Sequence, residues 1–287
     1  PDVGGGILRL DIEGDCRVNG GGEEFGTFVG FDPNVSPEKK VNGVTPSFAA
    51  PGVGITKNAD GTFSAASGMT AQLLDADGNS VKAYKTLAEA FTEASEGQTV
   101  RLLADATEDV TINKNITLDL GGKTLTNTGA GKATITIANG ATATVKNGSV
   151  VGGTSYYNIQ NNGTATFEGL TATAGNNGSS MIDNWGTLTI TSGTYTGGLN
   201  VVKSEEDSTL TINGGTFTRN SAPRYGITGT ILVYGTTTIN GGEFTEASSS
   251  NNARVLVTGL VSGHPSVTYI TGGKFVNKNY TLIFHYL

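Results

Sequence analysis

Cysteine is nearly absent. Cys16 stands alone, so no intrachain disulfide can form. Proline is rare at 7 residues, and charged residues make up only 15% of the 287. That charge is too low for a disordered tail. No run of Lys or Arg occurs and the formal net charge is −7. Binding a phosphate backbone needs a basic face, so nucleic acid is excluded as an expected partner. No stretch approaches the ~20 apolar residues of a membrane span, so no membrane insertion is expected. The only two histidines, His264 and His285, are too isolated for a zinc site. What is abundant is glycine, 43 residues, alongside many threonines and asparagines. This mix fits an all-β chain with many tight turns. The chain starts at Pro1, which reads as a processed form or a fragment, so a missing signal says nothing about export.

A short unit repeats along the chain. TLTITSGTYTGG, TLTINGGTFTRN, TTTINGGEFTEA and TYITGGKFVNK share an alternating strand, a small-residue pair, then an aromatic. The second position of the pair falls at Gly193, Gly215, Gly242 and Gly273, with degenerate copies at Gly122, Gly148 and Gly169. Such a unit cannot bury its own apolar face, so neighbours must stack. Leu188 and Ile190, Leu210 and Ile212, and Ala165 and Phe167 alternate with polar residues, the period of a half-buried strand. Tyr195, Phe217, Phe244 and Phe275 follow the glycines at one matched position, with Val150 in an earlier copy. We read this column as an interior stack of rings, one per coil. An exposed ladder for sugars is the other reading. A second column, Asn139, Asn162, Trp185, Asp207, Tyr234 and His264, precedes the alternating strands. Its first two members suit an inward asparagine ladder, while Trp185 and Tyr234 look outward at a corner.

Upstream of the repeats, Thr86 and Glu89 read as a capping box. Leu87, Ala90, Phe91 and Ala94 form one apolar helix face, and Gly97 supplies a stop. A helix at the end of a coil stack would cover an open edge. Asp75-Ala-Asp77-Gly-Asn79 mimics a calcium loop, but its twelfth position is Thr86, so a hairpin turn explains it better. No phosphate loop is present, because the glycines fall at repeat turns.

The run YKTLAEAFTEASEGQTVRLLADATEDVTINKNITLDLGGKTL resembles the opening of the pectate-lyase-like right-handed parallel β-helix superfamily. It is most similar to versions in adhesin-like surface proteins of gut Gram-positive bacteria, and more distantly to phage tailspikes. The resemblance covers residues 84–287. It implies an all-β, right-handed parallel β-helix of about 7–8 coils with an N-terminal capping α-helix and a small β-rich N-terminal region. The divisions expected are a coil-like segment at 1–30, a connector with β-hairpins at 31–85, and the β-helix at 86–287 with its cap helix at 86–97. Residues 5–25 resemble residues 229–244, one further coil with no stack before it. The final YTLIFHYL stops before the next turn and glycine pair. A fragment of a longer array, head-to-tail assembly into a filament, and a monomer that folds back on itself all fit these ends.

The superfamily hosts enzymes and binders alike, so chemistry must come from a site. Asp183 faces Gln160 and Lys203 at matched positions, with no acid expected beside it. Glu205, Glu206 and Asp207 read as a solvated turn. Polygalacturonase motifs are absent, since Gly263-His264-Pro265 is not Gly-His-Gly and no paired Asp-Asp accompanies it. No catalytic residue, no metal ligand and no cofactor is therefore expected. The loops at 152–158, 176–180, 205–208, 220–226 and 247–253 vary most, and variable loops on a rigid scaffold carry recognition. Tyr156, Tyr157, Trp185, Tyr225 and Tyr234 are the candidate ligand-binding residues. An aromatic face beside Asn and Thr hydrogen-bonders suits a sugar ring. A plain structural role, covering a corner of the coil stack, would also account for Trp185 and Tyr234. The expectation is a non-catalytic, adhesin-like or stalk module at the cell surface or outside the cell, with a glycan or host-surface ligand as partner. A polysaccharide lyase, hydrolase or tailspike is the alternative, and a filament subunit the third.

Overall fold

The computed structural model describes residues 40–41, 51–59, 63–221, 228–248, 254–259, 266–277 and 281–284. The coil-like copy expected at 5–25, together with Cys16, Tyr225, His264 and His285, lies outside them. Two compact units result, one formed by residues 1–94 and 98–104, the other by 95–97 and 105–287.

In the first unit, Ala71–Leu74 pairs antiparallel with Ser80–Tyr84 on one side and Thr99–Leu102 on the other. The Asp75 turn is a hairpin, as its sequence suggested. Asp75 Oδ1 accepts from the amides of Asp77 and Asn79 at 3.1 and 2.8 Å, and Gly78 supplies the positive φ of 84°. A carboxylate committed to its own turn is not a calcium ligand. Buried Gln72 bonds the backbone of Ile55 twice, accepting from its amide and donating to its carbonyl at 2.8 Å each. It thereby ties this sheet to the strand Gly54–Lys57. The helix Leu87–Glu93 has the full capping box, with Leu87, Ala90 and Phe91 buried. It ends at Ala94, earlier than the glycine stop suggested. Gly97, at φ 78°, instead donates its amide to Asn115 O at 2.7 Å.

The second unit is a parallel β-helix with three strand faces. The first face stacks Val110–Ile112, Ile135–Ile137, Ile159–Asn161, Ile182–Asn184, Val202–Ser204, Ile231–Val233 and Leu256–Val257, all parallel. Seven rungs are separated by six full turns. Seven rungs on this face match the lower end of the 7–8 coils expected. After the last of them the strand Thr281–Phe284 turns back antiparallel along Gly273–Val276. The second face runs from Ile116–Asp119 to Val267–Ile270, and the third from Ala106–Thr107 to Gly273–Val276.

Alternation decides what is inside. Leu188, Ile190, Leu210, Ile212, Ala165 and Phe167 all point into the core. The aromatic column is interior. Tyr195, Phe217, Phe244 and Phe275 are aligned in register, with successive ring centroids at 4.9, 5.0 and 4.8 Å and planes within 8–18°. The reading as an exposed sugar ladder is thereby removed. The glycines that precede the rings serve this stack. A Cβ at Gly193, which sits at φ 133°, would come within 2.5 Å of Leu170 O and 2.9 Å of the Tyr195 ring. In the earlier coils the glycine column is shifted by one. Gly148 pairs with Leu170, not Gly169. Gly169 aligns with Asn147, and both hold a left-handed corner at φ 61° and 58°.

Two polar features lie among the apolar rungs. The asparagine ladder exists one residue earlier than expected. Asn161 Nδ2 donates to Asn184 Oδ1 at 2.7 Å, and Asn184 Nδ2 to Ser204 Oγ at 3.1 Å. Asn139 is exposed and Asn162 half-buried. Arg219 and Glu246 follow the stacked Phe217 and Phe244 by two residues, so they too point inward. They form an ion pair at 2.6 Å with both side chains fully buried.

Candidate functional site

The site lies on the outside of the first face and on the corner that follows it. Backbone ladder bonds define the corner column. The amide of Trp185 donates to Asn161 O, that of Glu205 to Asn184 O and that of Tyr234 to Ser204 O, each at 2.8 Å. Trp185, Glu205 and Tyr234 are therefore successive members. Asp207, assigned to this column from the sequence, is not one of them. The corner at Glu205 is four residues long, with Asp207 exposed at φ 60°, whereas Trp185-Gly186 and Tyr234-Gly235 are two-residue corners.

Residues two apart on a strand share a face. Asp183 and Trp185 thus project to the same side, as do Lys203 and Glu205 on the next rung. Asp183 pairs in register with Lys203, so the four side chains form a two-by-two block. Its contacts are specific. Trp185 Nε1 donates to Asp183 Oδ2 at 2.8 Å. Lys203 Nζ forms an ion pair with Glu205 Oε1. Lys203 Nζ also lies 5.6 Å from the centroid of the Tyr234 ring, a cation–π distance. Among these groups Asp183 is 1% exposed and Glu205 6%, but the indole of Trp185 is 52% exposed. Hydrogen bonding to a buried acid thus fixes an aromatic plane that faces solvent.

One sequence expectation holds here and one fails. Asp183 has Gln160 and Lys203 at its matched positions, as expected, although the charge of Glu205 from the corner column also acts on it. Glu205 is not part of a solvated turn, since it is buried between Trp185 and Tyr234 in the column. No protein N–H or O–H donates to the buried Asp183 Oδ1. Burial, and then the Glu205 charge, push the Asp183 carboxyl up from 3.8 to about 6, against the opposing pull of the Trp185 bond. For Lys203, burial disfavours the ammonium, but the bond and charge of Glu205 outweigh it and raise its pKa.

The Asp183 shift has a consequence for stability. A folded-state pKa above the unfolded value favours folding below that unfolded value, and the contribution is lost as pH rises through the folded pKa. With Asp183 as a free acid, the unfolding midpoint should therefore carry a component that falls between pH 3.8 and about 6. Asp183→Asn should flatten that component in thermal melts across this window. Parallel pH profiles for the two proteins would contradict the shift.

The remaining candidates divide by location. Tyr156 and Tyr157 are half-buried and meet edge-on, with ring centroids 4.8 Å apart at 65°. Their loop is tied down by Asn176, whose Nδ2 donates to Tyr156 O and Gly153 O at 2.8 and 2.9 Å. Burial, then the charge of Asp183, raise the Tyr157 phenol, with Lys203 and Glu205 also acting on it. Tyr157 therefore borders the block. Tyr234 joins it through Lys203. Tyr225 lies outside the described residues. The sequence reading placed Lys203 opposite Asp183, as found, but missed Glu205, which had a readable signal. Aligning corners by their first residue, not by the following glycine, puts Glu205 beside Trp185.

Among the described residues no group of three or more His, Cys, Asp or Glu side chains is arranged to hold a metal ion. No helix among them is long and apolar enough to cross a membrane. No protein-family model matches the chain, and neither the curated proteins nor the solved structures give a significant match.

Proposed function

We propose that this chain is a non-catalytic binding module of an extracellular, adhesin-like bacterial surface protein, and that it holds a glycan against the corner column of its β-helix. The observation that carries this reading is Trp185, an exposed indole fixed from behind by Asp183. A sugar ring stacks its C–H face on such a plane, and pre-ordering the plane lowers the entropy cost of binding. Tyr157 borders the same block, and Gln160 and Asn162 on the preceding rung add hydrogen-bonding groups. The adhesin context rests on the sequence resemblance.

A polysaccharide-cleaving enzyme is the second reading, favoured by the convergence of Asp183 and Glu205. Their burial argues against it. Glycosidase carboxyls flank the scissile bond with room for the sugar or a water, whereas Asp183 and Glu205 are only 1% and 6% exposed and Asp183 is held by the Trp185 indole. Glu205 is also engaged by Lys203.

A glycan array tests the first reading. Wild-type protein is expected to bind one glycan class, and Trp185→Ala to lose at least about tenfold in affinity, an aromatic contact of roughly 1.4 kcal/mol. Equal binding by the variant would remove the site. Depolymerisation of a bound polysaccharide, abolished by Asp183→Asn, would favour the enzyme.

A further inference from the structure

The corner column that carries Trp185 is bordered by acids. On the next rung the corner widens to Glu205-Glu206-Asp207-Ser208, and on the rung after that Tyr234 stands at the matching position. We propose that this column selects a positively charged sugar, a hexosamine with a free amine, whose ring lies on Trp185 and whose ammonium faces the carboxylates of the next corner. The proposal rests on the reading of Trp185 as a sugar platform and names the class of sugar it takes.

The charges around the indole are unbalanced. Asp183 lies behind it, and Glu205, Glu206 and Asp207 lie on the neighbouring corner, against the ammonium of Lys203. That ammonium is already engaged, by the ion pair with Glu205 and by the Tyr234 ring at 5.6 Å. It therefore cancels Glu205 and leaves Asp183, Glu206 and Asp207 in excess. A carboxyl pushed up to about 6 has still lost its proton at neutral pH, so Asp183 counts among them. The Tyr157 phenol, raised further above its ordinary value, stays neutral there.

Each acid acts from a different place. Asp183 is buried behind the indole, and no protein donor reaches its Oδ1. Its field crosses a poorly solvated region, where salt screens it little. The bond from Trp185 Nε1 to Asp183 Oδ2 at 2.8 Å also leaves the indole richer in electrons. Tryptophan already offers a cation the best aromatic face, and such a bond strengthens it. Glu206 is half-buried and Asp207 exposed, so both face a ligand that arrives from solvent. Successive corners lie one strand spacing apart, about 4.8 Å, the scale of a single sugar ring.

Other sugar classes use less of this arrangement. A neutral sugar stacks on the indole but draws on the acids only through hydroxyl hydrogen bonds. An acidic sugar would bring its carboxylate to a corner that is already negative, on a chain whose formal net charge is −7. An amine is the substituent that the ring and the corner both favour.

Two oligosaccharides that differ only in the acetyl group test this. A chitosan oligomer and its fully N-acetylated counterpart are titrated against the protein at neutral pH by calorimetry. The free-amine oligomer is expected to bind roughly tenfold more tightly, with the preference shrinking as salt is raised. Glu206→Gln/Asp207→Asn is expected to remove most of the preference, its folding checked by circular dichroism. Asparagine tolerates the left-handed φ of 60° that Asp207 holds. Trp185→Ala is expected to weaken both oligomers. Equal or tighter binding of the acetylated oligomer overturns the proposal and leaves the sugar platform standing. A preference that survives Trp185→Ala overturns it too, because the amine is then held elsewhere on an acidic chain. Binding of neither oligomer does the same, and an array hit on a neutral sugar would still keep the platform. An oligolysine that binds as tightly as the amino sugar overturns the assignment to a sugar. Loss of Trp185 dependence across the whole array, by contrast, removes the site itself.

Discussion

Phe217→Ala is expected to cost the β-helix about 3–5 kcal/mol, read from urea denaturation. Phe217 has no solvent exposure and lies between Tyr195 and Phe244 at 4.9 and 5.0 Å. Alanine would remove two ring stackings, each worth roughly 0.5–1.5 kcal/mol beyond area burial. It would also leave a cavity that cannot close. Ladder hydrogen bonds fix the rung spacing at about 4.8 Å, so the coils above and below cannot settle into the gap. Collapse is what lowers the cost of such substitutions elsewhere, and here the backbone prevents it. A loss below about 1 kcal/mol would mean that the column is not packed as described. Phe217→Leu, which fills part of the space, should cost clearly less.

Glu246→Ala should be comparably severe, about 3–5 kcal/mol, for an electrostatic reason. Arg219 is wholly buried, and its guanidinium donates to Glu246 Oε2 at 2.6 Å, Leu199 O at 2.7 Å and Thr228 Oγ1 at 3.0 Å. Glu246 Oε1 in turn accepts from the Ser248 amide at 2.9 Å. Removing the carboxylate leaves a full positive charge in the core without a counter-charge. The desolvation of that charge was offset by the pair and is now uncompensated. The double variant Arg219→Met/Glu246→Leu should recover most of the loss, because well-packed apolar replacements of a buried pair are often neutral. Equal destabilisation by the single and double variants would show that the residues act through packing and not charge.

These two sites differ in how far the sequence revealed them. The ring column was readable because three signals coincide: period-2 alternation, a small-residue pair, and an aromatic two positions later. Each has a physical cause in the coil, and each recurs. Arg219 and Glu246 carry the same offset, two residues after Phe217 and Phe244, which assigns them inward. Polar identity hid this, since an inward charge is expected only where a partner stands one coil away, and that partner is 27 residues distant. Gln72 is a similar case, because a side chain that imitates a strand edge leaves no periodic trace.

At the candidate site, the outward corner positions of Trp185 and Tyr234 were readable, and the buried charge behind them was not. The repeat length varies at corners, so matching by the glycine after Trp185 and Tyr234 selected Asp207. The four-residue corner places Glu205 there instead. A one-coil misalignment of two residues was enough to turn a carboxyl pair into an apparent solvated loop.

On the proposed function, the exposed indole of Trp185 is the platform on which the ligand rests. Trp185 is the chain's only tryptophan, so intrinsic tryptophan fluorescence reports on that plane alone. Titration with an array-selected glycan is expected to shift or quench this emission saturably, at the concentrations where binding is seen by an independent method. Binding that leaves the emission unchanged would contradict the claim and move the ligand to another face of the β-helix.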